Sequence, residues 1–225
     1  MEQVVFESEG LKLVGRLRSA AGGGAVICHP HPRFGGSMDN NVVAALEDIL
    51  FAAGLSTLAF NFRGVGGSEG AYGDMHGEIE DAIAALDFLA ERPEAVPARL
   101  ALAGYSFGGL IALLAAARMI EEMETEENEG AALPPRALIL ISPMPGAPGW
   151  EKAPAAAPLF AKPPPTLIVT GDRDDICPPK FAQKLSGLLG SRLLILEHSD
   201  HFYLGREELL GDPIRELLAA LPGGG

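Results

Sequence analysis

The sequence predicts an α/β fold: one domain over residues 1–225, built as a mostly parallel, twisted sheet with helices on both faces and no cap domain. Short apolar runs alternate with longer stretches of helical period along the chain. That order belongs to a parallel sheet whose crossovers cover both of its faces. A length of 225 residues with 48% apolar content suits a single core, and two full domains would be cramped. The Pro- and Ala-rich stretch 145–165 is too short to fold as a separate cap over the sheet, so an open site is expected.

The elements follow in order. Residues 4–6 and 11–17 form two antiparallel strands joined at Gly10. Residues 25–28 are a short buried strand running into His29-Pro30-His31-Pro32. From 40 to 53, Val43, Leu46 and Leu50 recur at helical spacing, and Gly54 supplies the C-cap. Residues 55–60 return as a strand and enter the loop Arg63-Gly64-Val65-Gly66-Gly67-Ser68. Residues 78–90 make an amphipathic helix with Ile79, Ile83, Leu86 and Leu89 on its inner face. A strand at 99–103 precedes a helix at 110–119, and 137–141 and 166–170 are two further buried strands. Residues 193–196 are the last strand and 207–221 the closing helix. Between 121 and 135 stand six glutamates and no basic residue, which reads as a solvated, mobile acidic insertion.

Charge and cysteine content exclude several classes of function. A net charge of −13 disfavours nucleic acid and anionic membrane surfaces as partners. The N-terminus lacks the basic start and apolar run of a signal peptide, and no apolar stretch is long enough to span a bilayer, so a cytoplasmic protein is expected. Cys28 and Cys177 form no disulfide framework and no metal-ligand spacing; each reads as a small buried hydrophobe.

Chemistry enters at Gly104-Tyr105-Ser106-Phe107-Gly108, a G-x-S-x-G pentapeptide between the strand at 99–103 and the helix at 110–119. In that context the serine sits on a sharp strand-to-helix turn with its oxygen exposed and a helix N-terminus beneath it. No phosphate-binding G-x-G-x-x-G or G-K-[ST] competes with this reading. A serine hydroxyl needs a general base, and histidine suits neutral pH. Of five histidines only His198 and His201 follow the serine. His201 is preferred, because the loop Asp200-His201-Phe202-Tyr203 can reach back over the sheet edge, whereas His198 reads as a loop-packing residue. The orienting acid belongs in the loop after the strand at 166–170, where Asp172, Asp174 and Asp175 compete and spacing leaves all three open. His29 and His31 lack a third ligand nearby and read as residues that fix their loop, so no metal and no organic cofactor is expected. Arg63 reads as an internal ion-pair residue rather than a phosphate site.

Five pieces, in order, carry a resemblance over nearly the whole chain: the run from His29 to Asn40, the run from Asn61 to Ser68, the pentapeptide, the run from Gly171 to Pro178, and Asp200-His201-Phe202. Together they resemble the α/β-hydrolase superfamily, nearest its small capless dienelactone-hydrolase-like group. The resemblance implies that Asp174 is the acid, in a G-x-x-D pattern followed by an apolar pair and proline. It also implies an oxyanion hole with one N–H from Phe107. Pro30 and Pro32 have no N–H to offer. If His31-Pro32 takes the place of the family's His-Gly dipeptide, the second donor is Arg33, with Phe34 as the fallback. Dienelactone hydrolase itself uses cysteine where this chain has Ser106, so its lactone substrate is not carried over.

Phe34, Tyr105, Phe107, Met144, Phe202 and Tyr203 sit in loops expected at the same edge and are candidate pocket walls. The expected activity is hydrolysis of a small carboxylic ester by Ser106, His201 and Asp174. Thioester, peptide or acyl-transfer chemistry on the same residues is the near alternative, and a non-catalytic scaffold the distant one.

Overall fold

The computed structural model describes residues 1–92, 99–124, 133–145 and 162–221. Among these residues eight strands lie in one sheet: β1 (Glu2–Ser8), β2 (Leu11–Arg18), β3 (Gly24–Cys28), β4 (Ser56–Phe60), β5 (Leu100–Tyr105), β6 (Ala137–Ile141), β7 (Thr166–Gly171) and β8 (Arg192–Leu196). Among the described residues the helices are α1 (Asn41–Ala52), α2 (His76–Ala90), α3 (Phe107–Glu124), α4 (Pro179–Leu189) and α5 (Gly211–Ala219). Short 3-10 turns cover Pro32–Phe34 and Glu207–Leu210. The strand order is β1-β2-β4-β3-β5-β6-β7-β8. The pairs β1–β2 and β2–β4 are antiparallel, and every pair from β4–β3 to β7–β8 is parallel.

Side-chain alternation along the strands divides the core into two layers. Val26, Leu58, Phe60, Leu102, Leu138, Leu140 and Ile168 point to the face covered by α2, α3 and α4. Ala25, Ile27, Ala59, Ala101, Ala103, Ile139, Ile141, Leu167 and Val169 point to the face covered by α1 and α5. Both faces being covered, β3 to β7 are buried at every position. The acidic stretch 121–135 and the stretch 145–165 fall largely outside the described residues, and among those that are described there is no cap domain. No helix among them is long and apolar enough to cross a membrane.

Local chemistry sets several boundaries. Glu9 and Gly10 both have positive φ (48° and 78°), the signature of a two-residue hairpin turn matched to strand twist. Asn40 caps α1 by accepting the Val42 N–H at 2.9 Å. Helix α2 begins two residues before the expected 78, because buried Glu78 accepts the N–H groups of Gly73 and Met75 at 2.8 and 2.9 Å. Helix α4 has no counterpart in the sequence reading. Its inner face is only Ala182, Leu185 and Leu189, and Cys177-Pro178-Pro179 reads as loop; Pro179 at its first position is the start signal.

Arg63 is an internal ion-pair residue, as expected. Its guanidinium meets Asp81 at 2.7 Å and Glu9 at 3.0 Å, and its backbone N–H donates to Asp81 Oδ2 at 2.9 Å. Asp81 is wholly buried. Asp81→Ala leaves a buried cation without its main partner and is expected to cost about 3–5 kcal/mol. Urea denaturation checks this: the midpoint should fall with an unchanged slope, and a loss below about 1 kcal/mol would put the pair in the class of surface bridges.

Candidate active site

The residues of interest gather at the C-terminal edge of the parallel strands. Ser106, between β5 and α3, has φ of +56°, in the left-handed region that an L side chain rarely adopts. Its neighbours make that conformation reachable. A Cβ on Gly104 would stand 2.1 Å from the Gly108 carbonyl oxygen, and one on Gly108 would stand 2.2 Å from that of Cys28. Only glycine fits at either position, and the turn presses against the end of β3 as a result. The Ser106 N–H donates to the Ile141 carbonyl at 2.9 Å, while its own carbonyl accepts from Met144 at 2.8 Å.

His201 Nε2 lies 3.0 Å from Ser106 Oγ, and His201 Nδ1 lies 2.9 and 3.0 Å from the two oxygens of Asp174. All three side chains are buried. A carboxylate only accepts, so Nδ1 carries the imidazole proton and Nε2 is left to face the Ser106 hydroxyl. Burial raises the Asp174 pKa, but hydrogen bonds from His201, Ser142 and the Cys177 backbone outweigh it and hold the carboxyl below its usual range. The Ile176 and Cys177 N–H groups reach Asp174 Oδ1 at 3.0 and 2.6 Å.

The His201 loop is held from below. Asp200 Oδ1 accepts from the Phe202 and Tyr203 N–H groups, and the Tyr105 hydroxyl donates to the His201 carbonyl at 2.7 Å. The other aspartates have different partners. Asp172 Oδ1 accepts the Ser199 N–H at 3.1 Å and ties the β7 loop to the β8 loop, while Asp175 is exposed. His198 pairs with Arg173 at 2.7 Å and does not border the cavity.

The loop after β3 differs from expectation in its donors. The Arg33 N–H donates to His31 Nδ1 at 3.2 Å and the Phe34 N–H to the His31 carbonyl at 3.0 Å, so the turn itself consumes both. Arg33 does not border the cavity; His31 does. Among the described residues no acceptor takes the backbone N–H of His31 or of Phe107. The N–H left open in this loop is that of His31, which follows His29-Pro30, whereas the N–H of Arg33, the donor expected from the resemblance, is taken up inside the turn. His29 is buried, and desolvation lowers its pKa to about 4, so it is neutral. Its Nε2 accepts the Phe62 N–H at 3.1 Å, which leaves Nδ1 to donate to the Pro30 carbonyl at 2.6 Å. With both ring nitrogens committed, His29 fixes the loop. Among the described residues no group of three or more His, Cys, Asp or Glu side chains is arranged to hold a metal ion.

A cavity of about 570 Å³ opens over Ser106 and His201. Phe34, Tyr105, Met144 and Phe202 border it, joined by His31, Asn40 and Ile176. Phe34 (86% exposed), Phe202 (54%) and Ile176 (50%) form an apolar rim. Phe107 and Tyr203, also candidate walls, are buried and do not line it. Phe107 packs against the His31 and Phe62 rings, and the Tyr203 hydroxyl turns inward to Ser142 at 2.7 Å. Ile176 was missed although it stands two residues after Asp174. No sequence signal marked Ser142. Among the described residues bordering the cavity, none is a carboxylate, ammonium or guanidinium.

A family model described as serine aminopeptidase, S33, matches residues 31–163, more than half of the chain. That span includes His31 and Ser106 and ends before Asp174 and His201. An uncharacterized protein of Rickettsia prowazekii is 40% identical over 116 residues, which are 50% of this chain and 48% of that one. A putative alpha/beta hydrolase from Agrobacterium tumefaciens is 29% identical with a TM-score of 0.76, covering 96% of this chain and 94% of the other. An α/β serine hydrolase without lid from Xanthomonas campestris is 27% identical with a TM-score of 0.77, over 99% and 95%. The chain spans about half to two thirds (48% and 64%) of the lengths of the curated relatives it matches.

Proposed function

The chain belongs to the serine aminopeptidase S33 family of α/β-hydrolases, and from that premise we propose that it is a serine hydrolase cleaving small, uncharged carboxylic esters through an acyl-enzyme intermediate. The observation that carries this reading is the unbroken line of hydrogen bonds from Ser106 Oγ through the His201 ring to Asp174. Ser106 Oγ attacks the ester carbonyl while His201 Nε2 takes its proton, and Asp174 stabilises the imidazolium that forms. The N–H groups of Phe107 and His31 receive the negative charge of the tetrahedral intermediate, each worth about 3 kcal/mol in such a setting. His201 then protonates the leaving alkoxide. Water then attacks the acyl carbonyl while His201 takes its proton, and the acid departs as His201 returns that proton to Ser106 Oγ.

Amide hydrolysis at a free amino terminus, which the family description evokes, is the second reading. An aminopeptidase must hold the substrate's ammonium, and a buried or bordering carboxylate is the group suited to it. The described cavity walls supply none, which favours the neutral ester. A panel of p-nitrophenyl esters, with the anionic hemisuccinate, an acyl-thioester and an aminoacyl p-nitroanilide, tests the choice. On the apolar walls, kcat/KM should rise about fourfold per added methylene from acetate to butyrate, and the hemisuccinate should lag the butyrate. Faster turnover of the anilide than of every ester would replace this reading with the peptidase one.

A further inference from the structure

Ser106 Oγ and His201 Nε2 stand 3.0 Å apart although the two residues are 95 positions apart in sequence, so a contact between their segments has to set that distance. Tyr105 is the residue just before the nucleophile. Strand alternation sends its side chain to the face covered by α1 and α5, where it shares a buried cluster with Tyr203 and Leu210. Its hydroxyl donates to the His201 carbonyl at 2.7 Å, and its ring centre lies 5.2 Å from that of the imidazole. Burial pushes the Tyr105 phenol above its ordinary range, so the hydroxyl keeps the proton it donates.

The carbonyl that Tyr105 holds belongs to the peptide unit leaving His201. The N–H of the same unit, on Phe202, donates to Asp200 Oδ1 at 2.9 Å. That peptide plane is gripped at both ends. So is the next one: the Phe202 carbonyl accepts from Asn41 Nδ2 at 3.0 Å, and the Tyr203 N–H donates to Asp200 Oδ1 at 3.2 Å. The other Asn41 amide proton goes to Glu207 Oε1 at 2.7 Å, which fixes the amide's orientation. Asp200 belongs to the loop itself, whereas Tyr105 reaches it from the end of β5 and Asn41 from the start of α1. A peptide plane has only the dihedrals at its two ends to move by, so holding it fixes the direction in which the preceding side chain leaves the backbone.

We infer that Tyr105 is a positioning residue that sets the reach of His201 Nε2 to Ser106 Oγ by holding the His201 carbonyl, with Asn41 as an outer hold on the same loop. This deepens the serine-hydrolase reading above and rests on it. Misplacing a reacting group by about 1 Å can cost about a hundredfold in rate. The Tyr105 hydroxyl is spent on the His201 backbone, so its loss should fall on turnover and leave substrate binding alone. Tyr105→Phe keeps the ring and removes only the donor. Asn41→Ala leaves the Asn40 cap in place and suits a helix, so it should fold even if the tyrosine variant does not.

The test measures kcat and KM for p-nitrophenyl butyrate, the rate of inactivation by a fluorophosphonate, and thermal melts, for wild type and both variants. Tyr105→Phe should lose about tenfold or more in kcat at a KM within about twofold of the wild type. Its inactivation should slow by a similar factor, since both reactions need His201 to take the Ser106 proton. Asn41→Ala should lose about threefold in the same pattern, because it acts one peptide unit further from the base. An unchanged kcat in either variant, whatever its melting temperature, would overturn the positioning role of that residue. A raised KM at unchanged kcat in Tyr105→Phe would overturn it too, by making Tyr105 a substrate contact. Those results leave the hydrolase reading intact, whereas a wild type that neither turns over ester nor reacts with the fluorophosphonate would remove both.

Discussion

Ser106→Ala will not be labelled by a fluorophosphonate probe that labels the wild type, and its kcat on p-nitrophenyl butyrate will fall about a millionfold. The hydroxyl is the only atom lost, and its hydrogen-bond partner is His201 Nε2 at 3.0 Å. Alanine meets the same φ of +56° that serine does, and the two glycines that shape the turn are untouched. The fold should therefore be retained, with a melting temperature at or slightly above that of the wild type. Labelling that survives in Ser106→Ala would place the nucleophile at another residue and undo the proposed mechanism at its first step.

The second large effect is expected at Asp174, the proposed acid. Asp174→Asn keeps shape and the acceptor for the Ile176 and Cys177 N–H groups but replaces a carboxylate with a neutral amide. The imidazole then gains from holding its proton on Nε2, where it cannot accept one from Ser106. Turnover should fall about ten-thousandfold. Asp172→Asn keeps an oxygen for the Ser199 N–H and should stay within about threefold of the wild type, since that contact is neutral to the chemistry. Comparing kcat for the two variants on one ester decides between the aspartates. A crippled Asp172→Asn beside a healthy Asp174→Asn would transfer the role of acid.

Both predictions address a candidate site that is partly legible in the sequence alone. Ser106 could be named because the pentapeptide is local: strand, turn and helix lie within one segment, and each glycine answers a steric demand inside it or just beyond it. His201 was reachable because chain order and the position of a loop after the last strand narrow the choice. Asp174 was not separable from Asp172 and Asp175 by spacing, because three carboxylates in one loop differ only in where the backbone aims them. Where the Arg33 N–H goes was hidden for a related reason. His31 folds its ring nitrogen back onto the Arg33 N–H, a turn contact two residues long that no periodicity announces.

Alternation of apolar runs with helical stretches, and the length of the chain, were enough to determine the α/β class, because a strand covered on both faces is buried at every position and so is mostly apolar. Chain order around Ser106 was enough to suggest a nucleophile and its base. Which N–H groups remain free, which aromatic rings line the cavity, and that the Tyr203 hydroxyl meets Ser142 were decided only by tertiary structure. Those contacts join residues as far apart in sequence as Ser142 and Tyr203, from the ends of different elements. Hydrogen bonds of that range depend on the sheet having brought its strand ends together, and a residue's own neighbours in sequence carry no trace of them.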